Sequence, residues 1–305
     1  MCVLFTSVRP LYRAENLKAV YDAYDGEKQF VQRLNGVPID GINSGKYSLL
    51  VTDGLIEESP GKYIFISHGM GAGKTVGLQH PTNPFAGSDL ITYAIASSEE
   101  MVSHVASFCG IPESKVVPVG MPRTDAYFHT EDIQNPYWFS GRNCLYAPTF
   151  RTGGWHPDWN RISNAMTDGL MFNVKAHMIT QRLMPYDRYY SGIVEYSAEE
   201  PSTPYLVNTD VLVTDYSSIM FDAMILRKPT VLFAKDKERY LSVRGMYCKY
   251  PDGYSRYFCE TEEELVEMMA EAEWSDHDEE LRQYHAGACD GHSVERTIDL
   301  IRSVL

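Results

Sequence analysis

Short, continuously apolar runs alternate with helix-patterned segments along nearly the whole chain, and this rhythm constrains the fold more than any other feature. The runs are "MCVLFTS", "KYIFIS", "LITYAIA" and "KVVPVG", then "NCLYAP", "LMFNVKAH", "DVLVTD" and "TVLFA". Runs that are apolar throughout, rather than at every second residue, mark strands buried on both faces, hence parallel sheets covered by helices. The segments between them carry helix punctuation. "AENLKAVYDAYDG" is amphipathic and meets Gly26; "SSEEMVSHVASFCGI" has Ser97 or Ser98 as a cap, Glu99 and Glu100 for its first turn and Gly110 as a stop. "SSIMFDAMILRK" is closed by Pro229, "TEEELVEMMAEAEW" has a capping box from Thr261 to Glu264, and "HSVERTIDLIRSVL" is a closing helix with one apolar face. The rhythm breaks in "YFHTEDIQNPYWFSGR", around Pro136, where the domain boundary is placed. The pattern predicts an α/β protein of two domains, 1–135 and 136–305, each a parallel sheet with helices on both faces, with the last helix free to pack back on the first.

Composition excludes several function classes. With 44% hydrophobic and 22% charged residues the chain reads as a soluble globular protein. It holds no apolar run of about 18 residues, the length a spanning helix needs. "MCVLFTSVRPLYRAENLK" lacks a basic flank and has Arg9 and Arg13 too early for a signal peptide. Six cysteines without a CxxC pair indicate neither zinc nor a disulfide framework and suit a reducing cytoplasm. A formal charge of −14 argues against nucleic acid, though not against a small anion that needs only local donors. His80, His104, His129, His156, His277, His285 and His292 form no ligand cluster, so no metal is expected.

"IFISHGMGAGKTVG" imitates a phosphate-binding P-loop. That pattern needs four residues between its first glycine and the Gly-Lys pair; Gly69 and Gly73 are separated by three, and His68 occupies the required position. Gly77, Pro81, Pro84 and Gly87 then oppose the long helix a P-loop runs into. What remains is a histidine at the tip of a buried strand, followed by a glycine-rich loop with Lys74.

In open α/β sheets ligands bind beyond the carboxyl ends of the strands. There, "VLVTDYSSIMFDAMILRKP" places Ser217 and Ser218 at the start of a helix. Two readings stay open: the serines cap the helix, or their hydroxyls and nearby backbone N–H groups hold an anion.

The stretch from Val211 to Tyr247 resembles the CDP-glycerol glycerophosphotransferase family, the teichoic-acid primases and polymerases. The similar residues are Thr214 to Ser218, Phe221, Asp222, Lys228, Pro229 and Arg244 to Tyr247, with "LYAPTFR" at 145–151 and "VVPVGMPRTDAYF", which holds Gly120, Pro122, Arg123 and Asp125. The family's Trp-His-Gly motif appears as Ser67-His68-Gly69, and its Lys-Pro-His motif as Lys175-Ala176-His177. The resemblance runs in order through most of residues 63–275. Ser67 and Ala176 depart from it, as does "MGAGKTVG", and these departures bear on the acceptor more than on the donor.

The resemblance implies a GT-B fold, two Rossmann-like domains facing across a cleft, with the acceptor on the first and a CDP-alditol on the second. It implies transfer of an alditol phosphate, glycerol phosphate above all, to a hydroxyl of a cell-surface glycan or glycolipid, with release of CMP. His68 would be the base and His177 would stabilise the leaving CMP. Ser217, Ser218, Lys175, Arg151 and Arg244 would hold the diphosphate. Asp215, Asp222, Gly69 and Arg123 would support the site. The donor is a substrate and no cofactor is implied. A cytoplasmic enzyme follows, with room for peripheral contact at the inner face of the membrane. A nucleotide-sugar glycosyltransferase would use a similar diphosphate site, and a degenerate nucleotide-binding protein would bind without turnover.

Overall fold

The computed structural model describes residues 1–33, 42, 45–54, 61–67, 70, 88–150, 156–177, 179–185 and 188–305, the side chains of residues 243 and 244 excepted. The chain divides into two compact units, Met1–His129 with Gln283–Leu305, and Thr130–Arg282. The division falls six residues ahead of the break expected at Pro136, and the end of the chain belongs to the first unit.

The first unit carries β1 (Cys2–Ser7), α1 (Glu15–Ala23), β2 (Lys28–Gln32), β3 (Tyr47–Thr52), β4 (Tyr63–Phe65), β5 (Tyr93–Ile95), α2 (Val102–Cys109) and β6 (Val116–Val117). Its sheet has the order β2-β1-β3-β4-β5-β6, and every pairing is parallel. The second unit carries β7 (Arg142–Tyr146), α3 (Trp159–Ala165), β8 (Leu170–Lys175), β9 (Ile193–Tyr196), α4 (Thr203–Asn208), β10 (Val211–Thr214), α5 (Ile219–Ile225), β11 (Thr230–Phe233), α6 (Lys237–Arg244), β12 (Tyr257–Cys259) and α7 (Glu262–Glu271). Its sheet has the order β12-β11-β10-β7-β8-β9, again all parallel. The chain then crosses the division through α8 (Asp276–Ala286) and ends in α9 (Ser293–Val304). Each sheet reverses its winding once, between β1 and β3 in the first and between β7 and β10 in the second. Such switch points open a crevice at the carboxyl ends of the strands.

Both cores follow from the apolar runs. Val3, Leu4, Phe5, Leu49, Leu50, Val51, Tyr63 and Ile64 are fully buried in the first unit. In the second, Cys144, Phe172, Val174, Val211, Val213, Val231 and Phe233 pack with Trp159, Leu265 and Met269. Trp159 of "GGWHPDWNR" is therefore a packing residue.

The first unit is closed by the last segment of the chain. Ser97 and Ser98 donate to the His285 and Tyr284 carbonyls, and Ala288 N–H donates to the Ser97 carbonyl. The Asp125 carboxylate accepts from the N–H groups of Ser293 and Val294 and so caps α9, while Arg296 donates to the Val119 and Ala288 carbonyls. Gly120 has φ +86°, and a Cβ there would lie 2.3 Å from Ser293 Oγ and 2.4 Å from the Ala288 carbonyl oxygen. Only glycine permits that approach.

Several sequence expectations change. α1 ends at Ala23, before Gly26, and α2 begins at Val102 because the hydroxyls of Ser97 and Ser98 are turned to the returning chain. Ser98 still accepts from Met101 N–H, as a turn rather than a helix cap. Within the acidic segment from Glu260, Glu262 is fully buried and paired with Lys235 at 2.5 Å.

Candidate active site

The second switch point is stitched together by side chains. The Thr214 hydroxyl at the end of β10 donates to the Ala147 carbonyl beyond β7, 2.7 Å away, and Ala147 N–H donates to the Val213 carbonyl. Asp215 is fully buried. Its Oδ1 accepts from Thr149 N–H at 2.8 Å and from Tyr216 N–H at 2.5 Å. This carboxylate latches the loop after β7 to the turn after β10. Tyr216, also buried, donates to Asp236 Oδ1 at 3.0 Å, and its ring stacks on Tyr240 with centroids 3.6 Å apart. Burial, with the Asp236 carboxylate, pushes the Tyr216 hydroxyl well above the usual phenol range.

The latch delivers Ser217 and Ser218 to the crevice half-buried. Ser218 occupies the N-cap of α5, but its hydroxyl makes no capping bond. Capping therefore does not account for the serine, and its hydroxyl remains available to an anion. At seven residues α5 is too short to lean on a helix dipole; the donors are the hydroxyls and the turn's own backbone. Asp222 is buried in the first turn of α5.

The loop after β7 also reaches the neighbouring strand. Phe150 packs on the His177 ring, centroids 5.2 Å apart. His177 lies two residues past β8 and is exposed, while its Nδ1 accepts from Ile179 N–H at 3.1 Å. In a neutral ring that bond places the proton on Nε2. Residues 147–150 thus join the Asp215–Ser218 turn to His177.

Lys175 is placed differently. Its ammonium donates to the Ser197 carbonyl and lies 5.3 Å from the centre of the Tyr205 ring. Burial lowers its pKa, and the Glu200 carboxylate offsets part of that. Among the described residues no contact joins Lys175 to Ser217 or Ser218. Arg151, His68 and Gly69 lie outside the described residues, as does the Arg244 side chain.

In the first unit, Arg123 belongs to a relay that sequence reading misses. Asn16, buried on α1, accepts from Arg123 N–H at 2.9 Å and donates to the Ser67 carbonyl at 2.8 Å. It fixes the residue that precedes His68. The Arg123 guanidinium reaches the Tyr127 hydroxyl and stands 3.9 Å from Glu15. The first switch point holds a further pair: Ser7 Oγ donates to Asp53 Oδ2 at 3.0 Å. Asp53 follows "LLVT" as Asp215 follows "VLVT", each strand lying beside its unit's switch point. Sequence reading singles out Asp215 and misses Asp53, for which the repeated Thr-Asp is the signal. Among the described residues no group of three or more His, Cys, Asp or Glu side chains is arranged to hold a metal, and no helix is long and apolar enough to cross a membrane.

Comparison with known proteins agrees with this architecture. The sequence model of the CDP-glycerol:poly(glycerophosphate) glycerophosphotransferase family matches residues 46–302. A teichoic acid poly(ribitol-phosphate) polymerase of Bacillus spizizenii is 27% identical over 260 residues, which cover 77% of this chain and 42% of the polymerase. A teichoic acid ribitol-phosphate primase of the same organism is 27% identical over 270 residues, covering 78% of this chain and 68% of the primase. The chain thus spans less than half of that polymerase. The structure of the wall teichoic acid polymerase TagF superimposes with a TM-score of 0.75 at 16% identity, over 99% of this chain and 88% of that one. A UDP-GlcNAc 2-epimerase from Neisseria meningitidis, bound to UDP-GlcNAc, superimposes at 0.60 with 12% identity, over 99% of this chain and 100% of that one. The two parallel-sheet units are of the GT-B type, and the chain belongs to the CDP-glycerol:poly(glycerophosphate) glycerophosphotransferase family.

Proposed function

We propose that this chain transfers an alditol phosphate from a CDP-alditol, most simply CDP-glycerol, to a hydroxyl of a glycan or lipid-linked glycan acceptor. The observation that carries the reading is the Asp215 latch, which brings Ser217 and Ser218 to the switch point of the second sheet beside the loop that contacts His177. Family membership supplies the reaction class.

The acceptor oxygen attacks the β-phosphorus and forms the new P–O bond. The bond from that phosphorus to the bridging oxygen breaks, and CMP leaves with the electron pair. The acceptor's proton passes to a base, for which His68 is proposed. Ser217 and Ser218 donate to the diphosphate oxygens, and His177, protonated on Nε2, donates to the charge that develops on CMP. Arg151 and Arg244 are proposed to add charge-assisted bonds. The buried Lys175 would act through the field of its ammonium. No cofactor enters the reaction, and the enzyme would work on the cytoplasmic side, where the nucleotide donor is made.

Mass analysis of the products tests the reading. CMP release with a phosphate-bearing acceptor supports it; release of a nucleoside diphosphate from a nucleotide sugar would replace it with glycosyl transfer, and stoichiometric binding without turnover would replace it with a degenerate binder. The joint replacement Ser217→Ala and Ser218→Ala should weaken donor binding by about 1–3 kcal/mol, the scale of hydrogen bonds to a charged group. Unchanged CDP-glycerol affinity in that variant would reduce the serines to structural residues.

A further inference from the structure

We propose that Glu195 is a positioning residue for His177: from β9 its carboxylate anchors the turn at residues 179–184, whose backbone holds the imidazole. The part His177 plays in the reaction rests on the transferase reading above; the anchoring is carried by the geometry of the second unit alone.

His177 is exposed at the end of β8, so core packing does not fix its ring. Phe150 meets the ring from the β7 side, with the two planes tilted by 42°. The ring nitrogen is addressed by the chain that follows. The His177 carbonyl accepts from Thr180 N–H at 2.8 Å and from Gln181 N–H at 2.9 Å, and Nδ1 accepts from Ile179 N–H at 3.1 Å. The chain thus closes on the residue it has just left, and this turn sets which ring nitrogen accepts. Its conformation is a costly one. Gln181 has φ +60°, in the left-handed region that side chains other than glycine rarely adopt. The Thr180 hydroxyl oxygen is buried with no hydrogen-bond partner among the described residues. A turn with two such costs persists only where its surroundings hold it.

Glu195 supplies that hold. It pairs with Val174 across the β8–β9 ladder, and its side chain is 5% exposed. Oε1 accepts from Leu183 N–H at 2.6 Å; Oε2 accepts from Met184 N–H at 3.2 Å and faces Arg182 Nε at 3.4 Å. Arg182 also donates from Nε to the Met184 carbonyl at 2.8 Å, and from its backbone N–H to the Thr180 carbonyl at 2.7 Å. The path from carboxylate to imidazole is therefore short. Glu195 fixes residues 182–184, Arg182 N–H fixes Thr180, and Thr180 and Gln181 fix His177. Met184 is buried in the core of the unit, so the far end of the turn is pinned by packing as well as by charge. Burial pushes the Glu195 pKa above its usual value, against the pull of the Leu183 and Met184 N–H groups and Arg182. Packing beside Val174 alone would be met by an apolar side chain without burying a charge. The carboxylate adds two acceptors for the backbone of a segment that belongs to no helix or strand.

The test uses the full chain and two readouts. One is CMP release from CDP-glycerol with a glycerol-phosphate oligomer as acceptor. The other is proton–nitrogen correlation spectroscopy of histidine-labelled protein, at a pH where the imidazole is neutral, with the His177 signal assigned by its loss in His177→Ala. In wild type the His177 ring should show one tautomer, protonated on Nε2. Glu195→Gln keeps one acceptor and turns an amide donor on the other partners. It should give a mixture of the two tautomers and lower kcat roughly 10- to 100-fold, the scale of a misplaced reacting group, with the KM for CDP-glycerol nearly unchanged. In the His177→Ala background the same replacement should lower kcat by less than about 2-fold, because residues that act as one unit are not additive. If Glu195→Gln does not fold, Arg182→Ala removes a donor to the same carboxylate from a side chain that is 39% exposed, and should move both readouts in the same direction by a smaller factor. The proposal is overturned if the tautomer is unchanged in the folded variant, or if kcat is unchanged. It is overturned if kcat falls by the same factor with and without His177, which is a structural role. If wild type neither binds nor consumes CDP-glycerol, the transferase reading fails, while the tautomer comparison still decides whether Glu195 positions the ring.

Discussion

Glu262 shows how one residue can depart from the character of its segment. It opens an acidic helix, yet its side chain is fully buried. Lys235 donates to Oε2 at 2.5 Å and Asp158 N–H to Oε1 at 2.9 Å, which ties α7 to β11 and to the start of α3. Burial alone would raise its pKa; the Lys235 ammonium and the Asp158 N–H outweigh it and hold the carboxyl below 4.5. A carboxyl depressed in the folded state stabilises the protein above its unfolded pKa, and that stability is lost as pH falls through the folded value. Glu262→Gln should therefore cost on the order of 2–4 kcal/mol at pH 7, somewhat less than the roughly 3–5 kcal/mol for breaking a fully buried pair, because the Lys235 side chain is 27% exposed. The difference from wild type in urea unfolding should shrink as pH is lowered below about 4.5. A difference independent of pH would mean that packing, not charge, is what Glu262 contributes.

At the scale of elements, local chemistry explains which boundaries the sequence announces. Thr261 accepts from Glu264 N–H and the Glu264 carboxylate accepts from Thr261 N–H, so the expected capping box is present and α7 starts where it should. Thr261→Ala should cost about 1 kcal/mol in thermal or urea unfolding; no loss would mean that Lys235–Glu262 alone anchors this end. β2, β9 and β12 are harder to read. Lys28–Gln32 and Ile193–Tyr196 mix polar and apolar residues, because outer strands need no continuous apolar run. Of the site, the Ser217–Ser218 turn and His177 are legible because motif and strand end coincide. The Asp215 latch is only half legible: a Thr-Asp at a strand end is visible, but Thr149 lies 66 residues away and only the β7–β10 pairing brings it there. The Ser7–Asp53 bond spans 46 residues and the Asn16–Ser67 bond 51; the Thr52-Asp53 pair at a strand end marks one partner of the first, and nothing local marks Ser7, Asn16 or Ser67.

Across the whole molecule, chain order and structural order differ. The first unit is assembled from both ends of the sequence, the second from one continuous stretch. Helix α9 buries Thr297, Ile298, Ile301 and Val304 in the first unit and packs on α1, and its first N–H groups are satisfied by Asp125. Arg296 satisfies two further backbone carbonyls there. Without residues 283–305, the Ser97 and Ser98 hydroxyls and the Val119 carbonyl lose their partners, and an apolar face of α1 meets water. Each such buried polar group costs about 1–3 kcal/mol when left unmade, and the lost apolar burial adds at about 25 cal/mol per Å². Those penalties together rival the 5–15 kcal/mol that holds a domain folded. A fragment of residues 1–129 should therefore fail to fold alone, whereas residues 130–286, which keep α8 whole and the second sheet intact, should melt cooperatively by circular dichroism. Adding a peptide of residues 283–305 to the first fragment should restore its structure. A cooperative melt of residues 1–129 without that peptide would show that the returning helix is a clasp on an already stable unit rather than part of its core.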